Sequence, residues 1–274
     1  MSGHQAFTTH AAFSPDNSRI ATVSWDADRT VKVWEVATGK LLASSKAHGA
    51  GCRRVAFSPD GTMIATACED GYLRLFTPEL ALSQSLNLGL NVTSVTFSPD
   101  SKRIAVGTGS WRDNKTGRVT LYDSETGKRI KELEKSDGYV FHLQFLKNGR
   151  HLLANNAGAG CSIWDVESGE MVETYRQEQD TRWVEISADE QRIIATHKPG
   201  MVSIWNRNQS TPVVSFEASD KFVHCATFSP DGKHFLVGDE AGALSLWEMR
   251  KPAQTQVAES TDLPKAESTD LPKE

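Results

Sequence analysis

Short runs in which apolar and polar side chains alternate recur along the chain. Val31-Lys-Val-Trp34, Leu73-Arg-Leu-Phe76, Val119-Thr-Leu-Tyr122, Ser162-Ile-Trp164, Val202-Ser-Ile-Trp205 and Leu244-Ser-Leu-Trp247 each end on an aromatic. A period of two sends successive side chains to opposite faces, which predicts half-buried β-strands. Upstream of each run lies a second β-prone segment, at residues 20–24, 63–67, 103–107, 151–155, 192–196 and 234–238. Downstream come turns such as Ala37-Thr-Gly-Lys, Glu125-Thr-Gly-Lys and Glu167-Ser-Gly-Glu, where glycine supplies the positive φ of a tight turn. Further short strands are predicted at 41–45, 130–133, 171–175 and 213–216.

These pieces hang on one repeated string. Phe-Ser-Pro-Asp begins at Phe13, Phe57, Phe97 and Phe228, and degenerate copies begin at Phe145 and Ile186. The anchors are spaced by 44, 40, 48, 41 and 42 residues. Proline fixes φ and removes a backbone donor, so it suits a strand end entering a turn, and Asp-Gly at 60–61 and 231–232 is a hairpin signal. A four-stranded unit cannot bury both faces alone, so neighbours must pack face to face. The fold class is therefore all-β: a β-propeller of six four-stranded antiparallel blades, or seven if an upstream blade is missing.

The residues resemble the WD40 repeat family over roughly residues 3 to 250. The marks are the Phe-Ser-Pro-Asp strings, the Gly-His-type starts (Gly3-His4, Ala47-His48) and the Trp-Asp-type ends (Trp34-Glu35, Trp164-Asp165, Trp205-Asn206, Trp247-Glu248). The resemblance implies a hydrogen-bonded chain inside a blade. Only the first repeat carries the full set: His4, Thr22, Asp28 and Trp34. The second has His48, Thr66 and Asp70 but Phe76 in the Trp place, and phenylalanine has no N–H to donate. These residues are expected to be structural.

Two features depart from the family pattern. Residues 107–117 make a longer connection, expected to protrude and to present Trp111 and Arg112 to a partner. Family members close the ring with an N-terminal strand in the last blade, whereas this chain starts at the first strand of a blade. The last blade must find its fourth strand near 255–257 or go without. Domain boundaries follow: a propeller over 1–250 and a disordered tail over 251–274, where an eight-residue segment at 258–265 repeats at 266–273.

Composition narrows the function. The formal charge of −5 gives no reason to expect nucleic acid, and no apolar run approaches a membrane span. The start lacks a signal-peptide pattern, so a cytoplasmic location is expected. Four cysteines at 52, 68, 161 and 225 form no Cys-x-x-Cys pair and are expected to be reduced, mostly buried thiols. The Asn91, Asn114 and Asn208 sequons are taken as chance matches. Catalytic motifs are absent, and neither a metal nor a cofactor is expected.

A docking face is the remaining expectation. Four residues before the anchors stand Thr9, Arg53, Thr93, Phe141, Arg182 and His224, beside Phe7, Arg54, Tyr139, Trp183 and Phe222. In a propeller these positions converge at one end of the channel. Arg53, Phe141, Arg182 and His224, with Trp111 and Arg112, are the candidate partner-binding residues, and two arginines suit an acidic or phosphorylated segment. The resulting reading is a monomeric, non-enzymatic scaffold for a protein or peptide. The alternatives are an axial-site hydrolase or lactonase of the propeller type, or the regulatory propeller of a larger protein.

Overall fold

The computed structural model describes residues 3–110, 113–133, 138–156, 160–176 and 181–249. The described residues form strands and connecting turns, with no helix among them. The first sheet joins β1 (Thr8–Phe13), β2 (Arg19–Ser24), β3 (Val31–Glu35) and β4 (Leu41–Ser44). The second joins β5 (Cys52–Phe57), β6 (Ile64–Cys68), β7 (Tyr72–Phe76) and β8 (Leu82–Asn87). The third joins β9 (Val92–Phe97), β10 (Arg103–Ser110), β11 (Asp113–Asp123) and β12 (Arg129–Glu132). The fourth joins β13 (Leu143–Phe145), β14 (His151–Asn156), β15 (Gly160–Asp165) and β16 (Met171–Tyr175). The fifth joins β17 (Thr181–Ile186), β18 (Arg192–His197), β19 (Met201–Asn206) and β20 (Val214–Glu217). The sixth joins β21 (Val223–Phe228), β22 (His234–Asp239) and β23 (Leu244–Glu248). Within each sheet consecutive strands pair antiparallel, and the six sheets are the blades of a β-propeller.

The repeated string builds the turn after each inner strand. The Ser14 hydroxyl donates to Asp16 Oδ1 at 2.5 Å and accepts the Arg19 N–H at 2.9 Å. Ser58–Asp60, Ser98–Asp100, Ser187–Asp189 and Ser229–Asp231 repeat the first bond at 2.5 to 2.6 Å. One residue later the backbone is left-handed in all six blades: Asn17 (57°), Gly61 (73°), Ser101 (61°), Gly149 (65°), Glu190 (57°) and Gly232 (65°). Glycine takes that conformation freely, and the others pay a steric cost there.

Alternation along the strands supplies the two faces of each blade. Ala21, Val23, Val31 and Val33 of the first blade pack on Cys52, Val55, Ile64 and Cys68 of the second. Ala65, Ala67, Leu73 and Leu75, on the second blade's other face, pack on Val92, Val95, Phe97 and Ile104. The pattern continues to the fifth and sixth blades, where Ile194, Val202 and Ile204 meet Val223, Phe228 and Phe235. Inner strands β1, β5, β9, β13, β17 and β21 pack in that series, but β21 does not pack on β1 as each earlier one packs on the next. Leu244 and Leu246 occupy the places of Leu73 and Leu75, yet are 77% and 68% exposed. On the opposite side Phe13 is 56% exposed, whereas its counterpart Phe97 is buried. Among the described residues the ring therefore has an open seam between the sixth and first blades. The expected edge strand near 255–257 and the tail over 251–274 lie outside the described residues.

Two expectations are corrected. The segment 107–117 is largely strand: β10 and β11 pair from Arg103↔Asp123 to Ser110↔Asp113, so the insertion lengthens a hairpin. Trp111 and Arg112 lie outside the described residues. The cysteines are not all free. Cys52 and Cys68 face each other across β5 and β6 with Cα atoms 4.0 Å apart and form a disulfide. Strand register brings them together although the sequence separates them by 16 positions. Cys161 is a buried free thiol and Cys225 an exposed one.

Candidate functional site

The within-blade chain lies in the first blade. The Trp34 indole N–H donates to Thr22 Oγ1 at 2.8 Å. Thr22 Oγ1 lies 2.7 Å from His4 Nε2, and His4 Nδ1 lies 2.5 Å from Asp28 Oδ2. A consistent set of donors runs from Trp34 through Thr22 to His4 and on to Asp28. Asp28 also takes Thr30, Lys32 and the Gln5 N–H. Burial would raise its carboxyl, but these bonds outweigh burial and hold it far below the usual carboxylate range. Thr22, Asp28 and Trp34 are all buried, and the chain ties two strands to the segment before β1. It has the character of a structural clasp.

A second cluster gathers at the end of the channel where the inner strands begin. Arg182 stands at the second position of β17 with its guanidinium carbon 4.7 Å from the Phe141 ring centre and 5.0 Å from the Phe222 ring centre. Phe141 also packs on Tyr139, 4.2 Å between ring centres. Phe222 packs on His224 at 5.0 Å, with Lys198 Nζ 5.9 Å from its ring. Arg53, at the second position of β5, lies 4.1 Å over Trp25 and holds Glu69 through two bonds of 2.9 and 2.6 Å. These are cation–π geometries, in which an aromatic face partly replaces water around a cation.

Behind this rim lies an inner layer of half-buried side chains. Half-buried Arg54 lies against Trp183 at 4.5 Å and donates through Nε and Nη2 to the Phe141 carbonyl. His142 stacks on Trp183 at 4.3 Å, and His10 lies 6.2 Å from the same ring. Burial, then the Arg54 charge, lowers His10 to about 3 and pushes His142 well below its ordinary value. Both imidazoles are neutral at pH 7, so Arg54 carries the charge of this inner layer. Burial also lifts Tyr139 to about 12 and lowers His224.

Four of the sequence-derived candidates thus fall on one end of the channel. Phe141 and Arg182 touch directly, His224 joins through Phe222, and Arg53 stands beside them on Trp25. Thr9 and Thr93 serve the fold: their hydroxyls donate to Cys52 O and Val140 O of the next blade at 2.6 Å. Trp25 and Lys198 were not legible as site residues. They follow β2 and β18, on connections that reach the rim only once the sheets form. Metal-ligating capacity lies elsewhere: His48, Cys52 and Cys68 hold three donor atoms within 4.8 Å of one another.

The family model described as "WD domain, G-beta repeat" matches residues 1–35, 39–77, 85–120 and 210–248. These stretches cover more than half of the chain. The chain belongs to the WD40 repeat family. The WD40 match passes over the fourth and fifth blades, whose anchors, Phe145-Leu-Lys-Asn and Ile186-Ser-Ala-Asp, are the degenerate ones. The chain is 24% identical over 249 residues to the "Serine-threonine kinase receptor-associated protein" of Gallus gallus, covering 90% of this chain and 68% of the relative. The protein of that name from Dictyostelium discoideum is 24% identical over 252 residues, covering 90% and 81%. "WD repeat-containing protein 1" of Mus musculus is 21% identical over 230 residues, covering 81% and 37%. WD40 repeat proteins of this kind are, as a class, protein-interaction scaffolds, and this chain is one of them.

Proposed function

We propose that this WD40 protein docks an acidic or phosphorylated segment of a partner protein on the strand-start end of its channel. The observation that carries the reading is Arg182 held between Phe141 and Phe222, with Arg53 braced on Trp25 at the same end. Aromatic and arginine side chains are the residue types that dominate protein interfaces, and arginine pairs well with carboxylate or phosphate. Both guanidinium groups are held in place before a ligand arrives, which lowers the entropy lost on docking. Two curated relatives carry the words "kinase receptor-associated" in their names, which agrees with a role in protein association.

The protein acts by binding and not by catalysis. The channel end gathers arginine and aromatic side chains, and its carboxylate Glu69 is engaged by Arg53, a poor match for the carboxylate-rich site of a metal-dependent hydrolase. We assign it as a monomer, working in the cytoplasm without nucleic acid, with residues 1–250 as the propeller and 251–274 as a separate tail. A helix long and apolar enough to cross a membrane is absent among the described residues.

An array of peptides with matched acidic, phosphorylated and neutral sequences tests the proposal. The full chain should retain acidic or phosphorylated peptides over neutral ones. Retention unrelated to peptide charge, or kept by the Arg53→Ala plus Arg182→Ala variant, refutes it.

A further inference from the structure

The first two blades carry the same kind of His-Thr-Asp arrangement with different outcomes. In the first blade both nitrogens of His4 are engaged, by Asp28 and Thr22. In the second blade Asp70 instead takes the Gly49 N–H and the Arg74 guanidinium. Phe76 stands where an indole would reach Thr66. His48 is only 6% exposed, yet its Nε2 has no hydrogen-bond partner, and neither does Thr66 Oγ1. A buried imidazole nitrogen without a partner costs stability unless something else engages it.

Two sulfur atoms lie close by. His48 offers a donor within 4.8 Å of both Cys52 Sγ and Cys68 Sγ, and both cysteines are fully buried. The fold does not require sulfur there. The same register pair is Thr8 and Ser24 in the first blade and Val92 and Thr108 in the third. A disulfide would not engage the His48 nitrogen.

We propose that, with the Cys52–Cys68 bond reduced, His48, Cys52 and Cys68 form a buried three-coordinate site for a thiophilic cation, Cu(I). Two thiolates and one imidazole are soft donors of the type that select Cu(I) or zinc. Structural zinc is almost always four-coordinate, and this group has three donors. A dithiol reductant opens the site: the Cys52–Cys68 bond breaks, the protein gains two thiols, and the reductant becomes a disulfide. Binding Cu(I) then releases the two thiol protons, with no change in the metal's oxidation state.

The test uses the full chain with Cys225→Ser, which removes the exposed thiol. Reduced protein, freed of reductant without oxygen, is titrated with Cu(I) held by the coloured chelator bathocuproine disulfonate. The reduced chain should withdraw one equivalent and the oxidised chain none. His48→Gln should weaken uptake roughly tenfold or more, and Cys68→Ser should abolish it. Failure of the reduced chain to withdraw copper, or equal withdrawal by the oxidised chain, overturns the proposal, and that comparison needs no substitution at the pair. Uptake unchanged in both variants overturns it too, as does uptake of Zn(II) without Cu(I).

Discussion

Arg182 and Phe141 belong to neighbouring blades, and the guanidinium of one lies 4.7 Å from the ring centre of the other. The same position is Thr9 in the first blade and Thr93 in the third, whose hydroxyls hold adjacent strands together. Blade geometry fixes where these side chains stand, and the local residue choice decides whether the place serves the fold or a partner. At the second, fourth, fifth and sixth blades the choice is arginine, phenylalanine, arginine and histidine, and a rim able to meet an anion results.

The clasp in the first blade is expected to carry stability that the second lacks. Thr22→Val leaves the Trp34 N–H and the His4 Nε2 buried without partners, at a cost on the order of 2–4 kcal/mol. Thr66→Val removes a hydroxyl that is already unpaired and should be neutral or slightly stabilising. Urea melts of the two variants against the parent check both halves.

Asn17 holds the left-handed turn position that is glycine in three other blades. Asn17→Val places a β-branched side chain there and should destabilise by about 1–2 kcal/mol. Asn17→Gly should leave the melting midpoint unchanged or slightly raised.

The open seam predicts unequal responses to the same substitution. Leu75→Ala empties a buried position and should cost about 2–5 kcal/mol. Leu246→Ala, at the corresponding but 68% exposed place, should cost less than about 1 kcal/mol. Hydrogen exchange should also show the first and sixth blades opening more readily than the third. Uniform protection across all blades would contradict the open seam.

The repeated turns set an acid limit. Hydrogen bonds from Ser14 and then Ser18 lower Asp16 to about 2, and serine hydroxyls are the leading cause of the lowered Asp100, Asp189 and Asp231. The folded values lie below the unfolded value of about 3.9, so the contribution is complete above that pH. It is lost as pH falls through the folded values. Urea midpoints should therefore hold steady down to about pH 4 and fall below it. In Asp16→Asn the fall should be shallower.

The blades were legible because their cause is local. Alternation, the serine–aspartate turn and the glycine positions all sit within a few residues of one another, and each predicted run among the described residues became a strand. The Cys52–Cys68 pair was not legible, because only the register of β5 against β6 opposes them. Residues 107–117 read as a loop because their glycines and polar residues hide a hairpin that pairing with β9 supports. Arg53 and Arg182 were found by counting back from the anchors. Trp25 and Lys198, on connections between strands, carry no such mark. Arg54 shows the limit of charge as a guide: it is half-buried on Trp183 and bonds the Phe141 carbonyl of a neighbouring blade.

The most direct measurement is the affinity of the full chain for the best-retained acidic peptide, followed by fluorescence anisotropy at two salt concentrations. Arg53→Ala plus Arg182→Ala, confirmed to melt like the parent, should weaken binding by about tenfold or more and flatten its salt dependence. Unchanged affinity in that variant would contradict the strand-start end as the docking face.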